Sequence, residues 1–275
     1  MRRQDHKNPA VTDASSIPEW FRIAHSLLPQ PDREDHGEDV PWAMAIVLEV
    51  PKKERPSRTA LLRAAAMAVV ACCLDERAGD DTSAYQQGLA SWYGARIRKL
   101  TRRARNIGWQ RAQLAPGVTV NVDGAQARAL VPTPVDETYP EIAKLQISGT
   151  DLPYDDPENT LPNGQGGHGG ADTFAPPVIW VDKDLNMSVG KVAAQVGHGS
   201  MLYAATLSVE DAWAWAQSGY ALDVKEIPRE QWPAPELRAV EVQDAGFTEI
   251  APGSVTVAVT PGRQLKAWCV LPPWP

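Results

Sequence analysis

The chain has 275 residues, 43% of them hydrophobic, which is enough for one large or two small domains with a sizeable core. Its formal net charge of −7 would not attract a nucleic acid, so any such binding requires a local basic patch. No run of 18 apolar residues predicts a transmembrane helix, and the N-terminus lacks the apolar segment of a secretory signal.

The first half of the chain predicts an N-terminal arm followed by an α/β domain. Residues 1–40 are polar and broken by prolines, which is typical of an arm rather than a packed domain. Residues 41–150 combine strand-like and helix-like apolar patterns, which predicts the α/β domain. The elements predicted in this half are a helix over 17–28, a strand over 41–50, helices over 59–74 and 83–105, and strands over 117–122 and 141–148.

A linker separates this half from a second α/β domain. Residues 151–174 are rich in Gly, Pro, Asn and Asp, and His168 among them is interpreted as a solvated linker residue rather than a metal ligand. Residues 175–275 predict a mixed sheet of about four strands with helices on its faces. The predicted elements are a strand over 177–181, a helix after Ser188, a helix over 209–217, and strands over 220–227, 238–243 and 254–260.

The helix that begins after Ser188 carries several chemically active side chains. Ser188 stands at the N-cap position, and Lys191, Gln195 and His198 follow at i, i+4 and i+7, so these three share one face. The same run contains two glycines, each of which costs roughly 1 kcal/mol in a helix interior. The presence of these glycines despite their cost predicts that another backbone or a ligand approaches the helix closely.

Two motifs in the second half resemble those of type-2 peptidyl-tRNA hydrolases. The resemblance covers residues 175–263 and says nothing direct about the first half. The matching residues are Asp184-Leu185, Met187, Gly190-Lys191, Ala193-Ala194-Gln195 and His198 in the first motif, and Asp244-Ala245-Gly246, Thr248 and Ile250-Ala251-Pro252-Gly253 in the second.

The resemblance implies hydrolysis of the ester that joins a peptide to the ribose of tRNA. This reaction needs an activated water and a positive or hydrogen-bonding group where the carbonyl oxygen becomes negative. Lys191 can supply the positive group, Asp244 can accept a proton from the water, and Thr248 can position the water or a ribose hydroxyl. These three occupy positions that the family uses. His198 is a fourth catalytic candidate because it shares the face of Lys191, and a half-buried histidine bonded to a neighbouring strand is its alternative.

Three residues depart from the family pattern and make phosphate binding weaker. Asp182 and Phe247 stand where the family commonly has basic residues, and Glu249 replaces a usual Gln. The compensation predicted from the sequence is the basic segment 96–111, whose alternative is a solvated helix face paired with acidic neighbours. The residues expected to bind tRNA are Arg96, Arg98, Lys99, Arg102, Arg103, Arg105 and Arg111, together with Gln195.

The two halves predict two related lobes in one α/β chain. A shift of 133 residues aligns 44–48 with 177–181 and superposes the two long helices without a gap. Arg58 then stands at the position of Lys191, so the first copy, residues 41–150, would have lost the chemistry. Because the resembled family often forms homodimers, such a chain can be monomeric through an intrachain pseudo-dimer. An unrelated α/β domain is the alternative.

The function expected from the sequence is a peptidyl-tRNA hydrolase, or a relative that acts on aminoacyl- or peptidyl-tRNA esters in translation. tRNA is the expected partner, without DNA or a membrane, and no cofactor or metal is implied. The three cysteines, two of them adjacent at Cys72 and Cys73, fit a reduced cytoplasm. The alternatives are a non-enzymatic module that binds tRNA or a protein partner, and a repurposed aminoacyl-tRNA-dependent enzyme.

Overall fold

A computed structural model describes residues 17–29, 41–94, 98–155, 175–244 and 249–262. The helices in these ranges are α1 Glu19–Ser26, α2 Arg58–Cys73, α3 Ala84–Gly94, α4 Ile107–Ala112, α5 Val189–Thr206 and α6 Val209–Gln217. The strands are β1 Trp42–Glu49, β2 Arg98–Ala104, β3 Gly117–Val122, β4 Ala125–Leu130, β5 Thr133–Pro134, β6 Val178–Asp182, β7 Asp223–Ile227, β8 Val240–Gln243 and β9 Val255–Thr260. Within the described ranges, no helix is long and apolar enough to cross a membrane.

The strands form two mixed sheets that have the same strand order. The first sheet has the order β2-β1-β4-β3, in which β1 is parallel to β2 and antiparallel to β4, and the short β5 also pairs with β1. The second has the order β7-β6-β9-β8, in which β6 is parallel to β7 and antiparallel to β9. Two mixed sheets flanked by helices confirm the predicted α/β class and its two lobes.

Helices α2 and α5 pack against each other between the sheets, with α2 on the first sheet and α5 on the second. Close packing depends on the small residues of α5. A Cβ at Gly197 would lie 2.7 Å from a methyl carbon of Val69, and Ser200 Oγ donates to the Ala66 carbonyl at 2.8 Å. The neighbours at Gly197 and Gly199 are side chains rather than the backbone or ligand predicted from these glycines, and one apolar core runs through both lobes.

Each long helix also touches a strand of the other lobe. Helix α5 packs on β2, where a Cβ at Gly190 would lie 2.6 Å from Thr101 Oγ1. Helix α2 packs on β7, where Arg58 and Glu226 form a buried ion pair with N···O distances of 2.7 and 2.8 Å. The lobes thus exchange strand contacts across the α2–α5 interface.

Helix α2 begins at a serine N-cap, as α5 does, and a carboxylate from the start of the linker covers that end. Asp155 accepts hydrogen bonds from Ser57 Oγ at 2.7 Å and from the next two backbone N–H groups at 3.0 and 2.7 Å. The N-caps Ser57 and Ser188 are 131 residues apart, two fewer than the predicted shift. The third residue after the cap of α2 is therefore Ala60, and Arg58 does not match the lysine of α5.

The predicted helix over 83–105 is confirmed only as α3 Ala84–Gly94, and the predicted strand over 141–148 is wrong. Residues 98–104 form β2 beside β1 instead of continuing a helix. Residues 141–148 form turns apart from a single bridge between Gln146 and Arg103. Arg102 donates to the Leu145 carbonyl at 3.2 Å, and Arg103 donates to the Gly149 carbonyl beyond this segment at 2.5 Å. Most of the predicted arm and most of the linker, including His168, lie outside the described residues.

Candidate functional site

A cavity of about 640 Å³ lies between the start of α5 and strand β2. Lys191, Gln195 and His198 all line it, which confirms that they share one face of α5. The first lobe supplies the opposite side from β2 and from the turn that follows residue 146. The other lining residues are Pro41, Ala43, Arg98, Lys99, Leu100, Thr101, Val135, Ile147, Ser148, Gly149, Thr150, Ser188, Gly190, Ala194, Gln243, Asp244 and Glu249.

Lys191 and Asp244 form an ion pair beside the cavity. Lys191 Nζ donates to Asp244 Oδ2, and the two side chains are only 13% and 6% exposed. Charges in such desolvated surroundings interact more strongly than in water. Gln195 Nε2 donates to the same carboxylate oxygen at 2.7 Å. Two donors from one helix therefore hold Asp244 in a fixed position, and Gln195 supports the carboxylate from a buried position.

Two further contacts fix the orientation of this group. Thr256 is fully buried, and its Oγ1 donates to Gln195 Oε1 at 2.9 Å, which turns the amide Nε2 towards Asp244. The backbone N–H of Asp244 donates to Ser254 at 2.9 Å, and its carbonyl accepts from Gly253 at 2.7 Å. Gly253 has a φ of +78°, which favours glycine. Asp244 is thus placed at the end of β8 by both its backbone and its neighbours.

Both acidic departures from the family pattern are capping residues. Glu249 accepts from the Ser188 N–H at 2.9 Å and from Ser188 Oγ at 2.7 Å, at the helix end where a carboxylate is favoured. Asp182 accepts from the Asp184 N–H at 3.0 Å, and burial raises the pKa of this buried carboxyl. Glu249 lines the cavity and Asp182 does not, so repulsion of phosphate at the cavity concerns Glu249.

Lys99 and His198 line the inner end of the cavity. Lys99 Nζ lies 4.7 Å from the Trp92 ring centre and 4.0 Å from Met201 Sδ, and both of these side chains are fully buried. Burial lowers the pKa of Lys99 to about 7. Burial, assisted by Lys99, lowers the pKa of His198 well below its ordinary value, so the imidazole is neutral at pH 7.

Among the described residues, the cations predicted to bind tRNA do not form one surface. Arg102 is buried and bonds to turn carbonyls, so its predicted role in contacting phosphate is wrong. Arg103 is partly buried and holds the same turn through Gly149. Of the others, Arg98 and Lys99 line the cavity, and Arg105 and Arg111 are exposed.

Some predicted residues cannot be placed, and one supporting residue was missed. Arg96, Phe247 and Thr248 lie outside the described residues. Thr256 was not predicted, and its signal in the sequence is a threonine inside an otherwise apolar strand. Within the described part of the chain, no group of three His, Cys, Asp or Glu side chains could hold a metal ion.

The second lobe has recognisable relatives. Residues 177–267 match the family described as Peptidyl-tRNA hydrolase PTH2. The peptidyl-tRNA hydrolase of Thermococcus onnurineus (strain NA1) is 36% identical over 100 residues, which covers 32% of this chain and 84% of that protein. No solved structure gives a significant match. The matched span contains Lys191, Asp244 and the four strands of the second sheet. Through this lobe, the chain belongs to the PTH2 family of peptidyl-tRNA hydrolases.

Proposed function

We propose that this chain hydrolyses the ester between a peptide, or an N-blocked amino acid, and the terminal ribose of tRNA. The observation that supports this most directly is the Lys191–Asp244 pair, which lies inside the family segment and adjoins a cavity of about 640 Å³. A cavity of this size holds a small ligand group and leaves a polymer outside.

In the proposed mechanism, Asp244 binds a water and accepts its proton while the water oxygen attacks the ester carbonyl carbon. Lys191 and the N-terminus of α5 stabilise the charge that develops on the carbonyl oxygen. The ribose oxygen then leaves with the electrons of the broken C–O bond and takes the proton from Asp244. The products are a carboxylic acid and tRNA with a free ribose hydroxyl. We assign Thr248 to positioning the water or that hydroxyl.

The first lobe is proposed to supply the contacts to the tRNA backbone. Strand β2 runs from Lys99, at the inner end, past Thr101, which lies beside the start of α5. Thr101 is the last residue of β2 that lines the cavity, and the exposed Arg105 and Arg111 follow it in the chain. We expect Arg105→Glu and Arg111→Glu each to weaken tRNA binding. Each should also reduce the slope of the logarithm of the binding constant against the logarithm of the salt concentration by about one. Lys52→Glu, an exposed site before α2, is the control that should change neither.

Hydrolysis is tested with a purified N-acetyl-aminoacyl-tRNA by following release of free tRNA. Lys191→Met should lower kcat by about 10²- to 10³-fold, as expected for loss of one group that stabilises the oxyanion. Lys225→Met, on an exposed position of β7, is the matched control and should retain the rate. A folded Lys191→Met protein with full activity would remove this residue from the mechanism.

Glu249 favours a second candidate function, in which the chain binds tRNA or a protein partner with little hydrolysis. Its carboxylate occupies the N-terminal end of α5 and adds negative charge beside Lys191. Binding of tRNA without release would support this candidate. Release that appears only in Glu249→Gln would show that the capping carboxylate suppresses the chemistry. A repurposed aminoacyl-tRNA-dependent enzyme would instead transfer the acyl group to an acceptor other than water.

We also propose that the two lobes are copies of one unit, joined by the linker 151–174. The matching strand orders and the exchanged strand contacts support a pseudo-dimer within one chain. In the first lobe, Asp155 covers the start of α2 and the Arg58–Glu226 pair lies beside it, so that lobe is proposed to be inactive. A single chain of 29.9 kDa in sedimentation at micromolar concentration is the expected result, and a stable dimer would contradict it.

A further inference from the structure

Lys99 is a cavity residue that forms no ion pair with a carboxylate among the described residues. Its amine contacts the Trp92 ring and the Met201 sulfur, and no Asp or Glu in the described ranges forms an ion pair with it. A ring face and a thioether are weak partners for an ammonium group that can donate three hydrogen bonds. Desolvating such a group is unfavourable unless an anion pairs with it.

The position of Lys99 indicates which part of a substrate could supply that anion. His198, which lies at the same end, is seven residues beyond Lys191 on α5, which corresponds to about 10 Å along the helix axis. If the ester carbonyl binds at Lys191, the acyl group would therefore extend towards Lys99. The ribose and the phosphates would then lie towards the mouth of the cavity. Trp92 and Met201, which contact the Lys99 amine, are fully buried, so we place the acyl group rather than the nucleic-acid backbone at this end.

We propose that Lys99 and His198 form an acyl-recognition site that selects acyl groups bearing a carboxylate roughly 10 Å from the lysine that stabilises the oxyanion. The ammonium group of Lys99 pairs with the carboxylate, and the neutral imidazole of His198 donates one further hydrogen bond. This inference rests on the proposed hydrolysis for its direction along the cavity. The family segment alone does not contain Lys99, so the first lobe determines the preferred acyl group.

The test uses two substrates that differ in charge but not in length. N-succinyl-phenylalanyl-tRNA carries a carboxylate, and N-succinamoyl-phenylalanyl-tRNA carries a neutral amide at the same place. We expect the wild type to prefer the succinyl substrate by at least about tenfold in kcat/KM, since one charge-assisted contact is worth that much. Lys99→Met should bring the ratio close to one, Lys99→Arg should keep part of it, and the exposed control Lys52→Met should keep all of it.

Other outcomes would overturn the assignment. A wild type that treats both substrates alike would refute carboxylate recognition. If Lys99→Met weakens binding of deacylated tRNA in a salt-dependent way and leaves the ratio unchanged, the lysine contacts phosphate instead.

Binding of N-succinyl-phenylalaninamide and its succinamoyl counterpart, measured by calorimetry, separates this inference from the proposed hydrolysis. A carboxylate preference that depends on Lys99, in a protein that releases no tRNA, would retain the recognition site and reject the hydrolase. If the protein binds N-succinyl-phenylalaninamide and its succinamoyl counterpart equally and hydrolyses both tRNA substrates equally, the hydrolase would be retained and the recognition site rejected.

Discussion

Replacing Lys191 and Asp244 singly and together measures how strongly their ion pair stabilises the fold. Lys191→Met keeps the length of the side chain, and Asp244→Asn keeps its shape. Breaking one partner of a buried pair costs about 3–5 kcal/mol of unfolding free energy. Here Gln195 still donates to Asp244, and a hydrogen bond to a charged group contributes about 1.5–3 kcal/mol. We therefore expect Lys191→Met to cost only about 2 kcal/mol.

The double variant should lose less than the sum of the single variants. Asp244→Asn leaves a lysine that can still reach cavity water, so a loss of about 1–2 kcal/mol is expected. With both charges removed, no buried charge is left unpaired, and a total loss of about 1–2 kcal/mol follows. The coupling energy between Lys191 and Asp244 is then about 2 kcal/mol.

Urea denaturation of the four proteins at pH 7, followed by circular dichroism, gives this coupling energy. Lys225→Met combined with Asp244→Asn is the control, because Lys225 is on β7 and Asp244 follows β8 at the opposite edge of the sheet. Those two changes should be additive within about 0.5 kcal/mol. If the coupling energy between Lys191 and Asp244 is as small as that of the control pair, the ion pair does not form in solution. The proposed catalytic arrangement would then be wrong as well.

Three further predictions concern the surroundings of this pair. Thr256→Val leaves Gln195 Oε1 without its donor and should cost about 1–2 kcal/mol in urea denaturation, with kcat reduced more than KM is changed. Gly197→Ala should destabilise by about 1 kcal/mol through its clash with Val69, and Val69→Ala in that background should cost less than it does alone. Because the pKa of Lys99 is about 7 in the folded chain, lowered from 10.5, the unfolded chain binds more protons between these values and stability should rise with pH across them. The unfolding free energy of Lys99→Met should therefore exceed that of the wild type most near pH 7, and this difference should shrink towards pH 10. A difference that does not change with pH would contradict the lowered pKa of Lys99.

Much of the second lobe could be predicted because its signals are local. The N-cap Ser188, the shared face of α5 and the strand before it all follow from residues close in sequence, and the structure has them. The pairing of Lys191 with Asp244 joins residues 53 apart and could be anticipated only from the motif resemblance. Thr256 could not be assigned a role, because a buried threonine identifies no partner until β9 is placed beside β8.

The first lobe was harder to predict because its charges are buried by tertiary contacts. A run with four cations in Arg98–Ala104 resembles a solvated helix, yet it forms β2 with α5 on one side and α4 on the other. Arg102 is accommodated there by carbonyl groups that come from more than 40 residues away. The apolar alternation of 141–148 did not produce a strand. Gln146 forms a single bridge to Arg103, and the Ala143 and Leu145 carbonyls accept from the side chain of Arg102.

The exchange of strand contacts between the lobes has a consequence for how the cavity can change. In an assembly of two identical subunits, every substitution in such a strand would alter both cavities at once. Here β2 and β7 are separate segments of one polypeptide, so the first carries Lys99 and Thr101 towards α5 while the second carries Glu226 towards α2. The cavity beside α5 can therefore be modified without any change at the start of α2, and dilution cannot separate its two sides.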